Sequence, residues 1–308
     1  MKKIIIDTDI GDDIDDAYAL ALAVKMNCFD LLGVTTVYRN SKQRAKIASA
    51  LLYALGRHEV GVYVGNDYPY REHFVVEPFE TRLPDGRPVI PHYCKQFEPM
   101  PVKEQSASDF IAEQAEKFPG EIVIVAIGPL TNLADVVRKY PSSYRKLSEI
   151  VCMGGSFARE KAEWNIRCDP EAADIVLHGG VPVRFVGVDV TAYTYLDEDA
   201  VNELTSAKGN EFVMLGTMLK KWMDTHPGRR PTMHDALTVA EVNGGYCEYK
   251  DSGIVIPLEG LYRAYTCRTE SADAPVVSYA VNFDRAAFMD FFMETLFECK
   301  SAKEGEGK

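Results

Sequence analysis

No stretch of the 308 residues approaches the roughly 18 uncharged apolar residues that a membrane-spanning helix needs, so no such span is expected. The first apolar run, Ile4 to Ile6, is too short for the core of a secretory signal, which points to a cytoplasmic protein. Paired cysteines are missing as well. Cys28, Cys94, Cys152, Cys168, Cys247, Cys267 and Cys299 are odd in number, scattered and without a CxxC pair. That pattern argues against a disulfide framework or a zinc site and fits a reducing compartment. Positive charge is scarce: 34 Lys and Arg face 46 Asp and Glu, for a net charge of -12. Nucleic acid and anionic membrane, both repelled by that charge, are excluded as main partners, while small neutral or cationic ligands are not. Internal repeats and forced linkers are absent, and 46% hydrophobic content is ample for a core.

What is present is a regular alternation. Strand-like runs at Ile4–Ile6, Leu31–Val37 and Ile122–Ile127 each lead through a turn into a helix-period segment: AYALALAVKM, Lys42–Leu55 and LADVVRKY. Further strands are expected at Ile150–Met153 and Val183–Val188, and helices at Glu171–His178, capped by Asp169 and Pro170, at Glu211–Thr225 and at Arg285–Leu296. The expected fold is α/β, an open, mostly parallel sheet with helices on both faces, in one catalytic domain over 1–300. Pro- and Gly-rich text over 66–101 reads as an insertion or lid, and 301–308 as a frayed tail. In such sheets ligands sit beyond the carboxyl ends of the strands, where the loops IIIDTDIGDDIDDA, TTVYRN, AIGPLTN and CMGG converge.

The first of these loops places six aspartates in the ten positions from Asp7 to Asp16. Carboxylates ~4 Å apart repel by about 1 kcal/mol even in water, and more where protein displaces solvent. Helix capping accounts for Asp15 and Asp16 but not for Asp7, Asp9, Asp12 and Asp13 directly after a buried strand. A hard divalent cation, held by Asp9 from the strand end and Asp16 from the helix start, accounts for more of them. An EF-hand does not fit, because Gly11 is fifth from Asp7 and Tyr18 twelfth, where that loop wants glycine sixth and glutamate twelfth. HDALTVA from His234 and EWNIRCDPEAA from Glu163 add polar residues at expected helix starts. Each fits ordinary capping when read alone, and the glycines of MGG fit a plain turn.

Together these blocks resemble the inosine-uridine-preferring nucleoside hydrolase family, whose opening motif is DTDPGxDDA; here it stands as DTDIGDDIDDA, with Ile10 for proline and two extra residues. TTVYRN, AIGPLTN, MGG, EWNIRCDPEAA and MHDALTVA follow in the family's order. The resemblance implies calcium (Ca2+) held by Asp9, Asp16, the Ile127 carbonyl and Asp235, with Asp9 also the general base. It implies ribose contacts at Asp15, Asn40, Met153, Glu163 and Asn165, and His234 as the residue protonating the departing base. The implied activity is hydrolysis of ribonucleosides to ribose and free base by a homodimer or homotetramer.

The match departs from the family in three places. Asp12 and Asp13 stand as alternatives to Asp15 and Asp16; the segment after Gly65 lacks the family's HGxxGLG-like text; and SFAREKA supplies Arg159 and Lys161 where an asparagine often meets the ribose 5′-hydroxyl. Two other readings stay open. One is a calcium-dependent nucleoside or sugar binder without turnover; the other is a haloacid dehalogenase-type phosphatase, whose nucleophile motif wants Thr or Val where Gly11 stands.

Overall fold

The computed structural model describes residues 1–71, 74–75 and 81–297. Nine strands, β1 (Lys2–Thr8), β2 (Phe29–Thr36), β3 (Gly61–Val64), β4 (Ile122–Ala126), β5 (Glu149–Met153), β6 (Val183–Val186), β7 (Cys247–Val255), β8 (Cys267–Thr269) and β9 (Val276–Phe283), form one sheet. Their order is β3-β2-β1-β4-β5-β6-β9-β7-β8. Neighbours from β3 through to β9 pair in parallel, whereas β7 runs antiparallel to both β9 and β8.

The period of two along a strand decides which core layer each residue joins. Ile4 and Ile6 of β1 face one layer with Val125 and Val151, packed under helices Asp15–Lys25, Ser41–Ala54, Asn210–Thr225, His234–Ala240 and Arg285–Phe297. Ile5 faces the other layer with Ile124 and Ile150, under helices Ala107–Lys117, Thr131–Lys139 and Pro170–Leu177. Burial on both faces is why these central strands read as continuous apolar runs.

The expected α/β architecture is therefore the one observed, with some local differences. The run expected as a strand over Val183–Val188 stops at Val186, and Val188 starts a short helix through Thr191. The antiparallel edge of β7, β8 and β9 lay outside the expected elements; β7 alternates polar and half-buried residues, a weaker signal than a buried run. Asp169 caps its helix as expected, accepting from Ala172 N at 3.1 Å. Of the 66–101 segment, the described part holds a bridge between Arg82 and Pro88 and a short 3-10 turn at Lys95–Phe97. It leans on the acidic loop: His92 N donates to Gly11 O at 3.0 Å, and a Cβ on Gly11 would stand 2.6 Å from Ile90. The expected tail at 301–308 lies outside the described residues.

The chain order reverses beside β1, whose neighbours are β2 and β4. Loops leaving β1 and β4 therefore diverge and leave a crevice at the carboxyl edge, the place where open parallel sheets hold ligands. Ile124→Ala, a truncation in the middle of β4, is expected to cost about 2–5 kcal/mol in a urea titration; a loss below about 1 kcal/mol would contradict its place in the core.

Candidate active site

β1 ends at Thr8 and the helix Asp15–Lys25 begins six residues after Asp9, so the acidic loop spans the crevice between strand end and helix start. Asp15 and Asp16 occupy the first turn of that helix, and Asp235 the first turn of His234–Ala240, which packs against it. Carboxylate oxygens of Asp15, Asp16 and Asp235 lie within 4.8 Å of one another. The three side chains are 5%, 4% and 3% exposed. Two helix N-termini favour negative charge here, but their dipoles reach only about a turn and offset a fraction of the repulsion.

The electrostatics follow from burial. Loss of solvent pushes the proton affinities of Asp15, Asp16 and Asp235 well above the ordinary carboxylate range, and each is raised further by its acidic neighbours. Asp9 is raised to about 6, mainly by burial, with the nearby Arg44 guanidinium pulling it back. Glu163 and Asp7 are raised to about 7, again by burial first. Asp9 stands outside the tightest carboxylate group but near enough to raise all three of its members. Buried carboxylates offering only oxygen donors, this close together, suit a hard divalent cation and not the softer metals that favour Cys or His.

Asp12 and Asp13 are arranged otherwise. Asp12 Oδ2 accepts from Arg39 at 3.0 Å and from Arg44 at 2.8 Å, and the exposed Asp13 caps Ile14 N at 2.7 Å. It is Asp15 and Asp16 that face Asp235. Thr8 Oγ1 donates to Asp16 Oδ1, and Thr35 and Asn132 donate to Asp7 Oδ1 at 2.6 and 2.8 Å, bracing the strand end beneath.

Ile127 and Met153 follow or end β4 and β5, and both carbonyls accept from Asn165 Nδ2, at 3.4 and 3.1 Å. A Cβ on Gly128 would stand 3.0 Å from Asp9 Oδ1, so this turn approaches Asp9 as closely as backbone can. Glu163 caps the helix Trp164–Cys168, accepting from Asn165 N at 3.0 Å and Ile166 N at 3.2 Å, and also takes Gly155 N at 3.2 Å. Asn40 caps Ser41–Ala54 through Gln43 N at 3.4 Å. His234 Nδ1 lies 2.8 Å from Thr191 Oγ1, and burial, then Lys161, hold its proton affinity down at about 4. Arg159, exposed, donates to Tyr193 Oη at 3.1 Å.

Sequence reading missed the arginines. Arg44 is fully buried, donating from Nε to Tyr38 O at 2.9 Å and from Nη1 to Asp9 O and to Ile10 O, the latter at 3.2 Å. Its spacing to Ile47, Ala48 and Leu51 puts it on the apolar face of its helix, and that is the signal that could have found it. Tyr38 and Arg39 take φ of 70° and 61°, a left-handed pair that costs about 1–3 kcal/mol per residue without glycine. Strain of this kind just before Asn40 is itself a mark of a functional turn.

Residues 4–290 match the inosine-uridine preferring nucleoside hydrolase family. The chain is 33% identical to a probable uridine nucleosidase 2 of Arabidopsis thaliana, over 96% of this chain and 98% of that one. Its fold superposes on a plant nucleoside hydrolase with a TM-score of 0.81 at 27% identity, covering 96% of this chain and 98% of that one. A purine-preferring ribonucleoside hydrolase from Gardnerella vaginalis gives 0.80 at 28%, with the same coverage.

Carboxylates whose folded proton affinity exceeds the unfolded value near 4 contribute stability that is complete below that value and is lost as pH rises through the folded one. For Asp9, Asp7 and Glu163 that loss falls at about 6 to 7. His92 and His234, both held at about 4, act in the opposite direction only below the ordinary histidine value near 6.5. Chelator-treated protein should therefore melt at higher temperature as pH falls from about 8 to about 6.5, and a divalent cation should restore the loss at the upper end. A melting temperature that is flat or falls over that window would contradict the assignment.

Proposed function

The chain belongs to the inosine-uridine preferring nucleoside hydrolase family and is a nucleoside hydrolase acting on ribonucleosides, and on that premise we propose calcium-dependent cleavage of the N-glycosidic bond to ribose and free base. The observation that carries the cation requirement is the buried group Asp15, Asp16 and Asp235 at the carboxyl edge of the sheet. Asp9, Asp16, Asp235 and the Ile127 carbonyl would hold the ion, with Asp15 in the same acidic group. Bound there, calcium would supply a Lewis acid that orders a sugar diol and makes a bound water easier to deprotonate.

The chain's own residues do the rest. Asp9, fixed at the end of β1 and pressed by Gly128, takes the proton of the attacking water. Asp15, Asn40, Met153, Glu163 and Asn165 surround the ribose. Glu163 and Asn165 are already oriented by helix capping and by the paired carbonyls of Ile127 and Met153, so little ordering is left to binding. As the N-glycosidic bond lengthens, positive charge grows on the sugar, and the surrounding carboxylates stabilise it. With Nδ1 of His234 occupied by the Thr191 hydroxyl, Nε2 is the nitrogen left to meet the departing base. Attack from the face opposite the base inverts the anomeric centre of the released ribose.

Purified protein incubated with purine and pyrimidine ribonucleosides is expected to release ribose, to stop when calcium is chelated, and to recover on its return. Asp9→Ala should lower kcat by about 100-fold or more. No ribose from any ribonucleoside, or release indifferent to chelation, would overturn the proposal.

A further inference from the structure

The acidic loop carries two residues more than the motif it resembles, and Asp12, in the lengthened stretch, takes no part in the carboxylate group at the helix starts. Its Oδ2 accepts from both Arg39, at 3.0 Å, and Arg44, at 2.8 Å. These two guanidiniums are 2% and 0% exposed. Each reaches a different part of the crevice. Arg44 holds the carbonyls of Asp9, Ile10 and Tyr38. Arg39 donates to Val75 O at 2.8 Å and lies 5.5 Å from the centres of the Tyr38 and Trp164 rings, the latter beside Glu163. Backbone on either side is tied as well: Tyr38 N and Arg39 N donate to Asn66 O and Asp67 O, both at 2.7 Å.

We propose that Asp12, Arg39 and Arg44 form a positioning clamp that sets the places of Asp9 and Asn40, and that Asp12 is its keystone carboxylate; this rests on the function proposed above. Two buried arginines side by side need negative charge between them, and among the described residues Asp12 is the carboxylate that pairs with both. Arg44 grips Asp9 by its carbonyl, which leaves the Asp9 carboxylate free for chemistry. Arg39 carries a left-handed φ of 61° immediately before Asn40, a conformation glycine would adopt more readily. Its retention is explained when the side chain is needed for the link to Asp12. All three are positioning residues, since none is placed against the substrate.

The test compares wild type with Asp12→Asn, Arg39→Gly and the double variant. Partners that orient site residues commonly matter by about 10–100-fold, so each single variant should lower kcat by about tenfold or more. Because the two share the Asp12–Arg39 contact, while Asp12 also holds Arg44 and Arg39 also reaches Val75 O, the double variant should fall well short of the product of the single effects. Calcium titration by calorimetry separates position from charge. Removing the Arg39 cation from an acidic site tightens calcium binding if charge alone counts, and weakens it, by about threefold or more, if the clamp places the ligands. Arg39→Lys, which keeps the charge but not the two-pronged reach, is expected to lose kcat in the same way and serves should Arg39→Gly not fold. Tighter calcium binding with kcat and KM within about twofold of wild type, or single effects that multiply in the double variant, would overturn the clamp. Wild type that releases no ribose would instead overturn the proposed function; crystal structures then decide the clamp, by whether Asp9 and Asn40 move by more than about 0.5 Å in Arg39→Gly or superpose on wild type.

Discussion

Repulsion among buried carboxylates is the constraint on which the rest of this structure depends. Asp15, Asp16 and Asp235 are brought within 4.8 Å of one another and sealed from solvent, with Asp9 adding its charge from the strand end. A protein that only needed to fold would not gather charge in this way, because each removal from water raises the energy of the ionised form. The arrangement is tolerable when a cation occupies the centre, and it becomes useful when that cation also binds a hydroxyl-rich substrate. The proposed need for a cation and the proposed grip on a sugar are thus two answers to one electrostatic problem.

The sheet solves the accompanying geometric problem. Alternate residues of β1, β4 and β5 enter two separate apolar layers, which fixes the strand ends against movement in either direction. From those rigid ends come Asp9, the Ile127 carbonyl and Met153, while the helices that start at Asp15, Trp164 and His234 bring their first turns to the same edge. Short capping bonds, such as those of Glu163 to Asn165 N and Ile166 N, orient residues before any ligand arrives. At this edge the strained backbone is the consecutive pair Tyr38 and Arg39, where the chain turns from β2 into Asn40.

Much of this was legible in the residues alone, and for a physical reason. Buried parallel strands need unbroken apolar runs, and loops at their ends carry the polar residues, so Ile4–Ile6, Ile122–Ile127 and the aspartates after Asp7 announce both the fold and the candidate site. The antiparallel edge around β7 was not legible, because half-exposed strands lack a strong pattern. Arg44 was passed over for a different cause: its place on the apolar face of its helix was legible, but its partners, Asp12 and the Asp9 carbonyl, come from a loop more than thirty residues away. The ambiguity between Asp12–Asp13 and Asp15–Asp16 is likewise one of register, and only the three-dimensional path of the loop resolves it.

Diffraction from crystals grown with calcium and ribose, recorded so that calcium scatters anomalously, bears most directly on the account. An anomalous peak among the carboxylates of Asp9, Asp16 and Asp235 and beside the Ile127 carbonyl, with Asp15 and the sugar hydroxyls on its open side, is the predicted result. Saturating calcium and sugar with no peak among those carboxylates would contradict it.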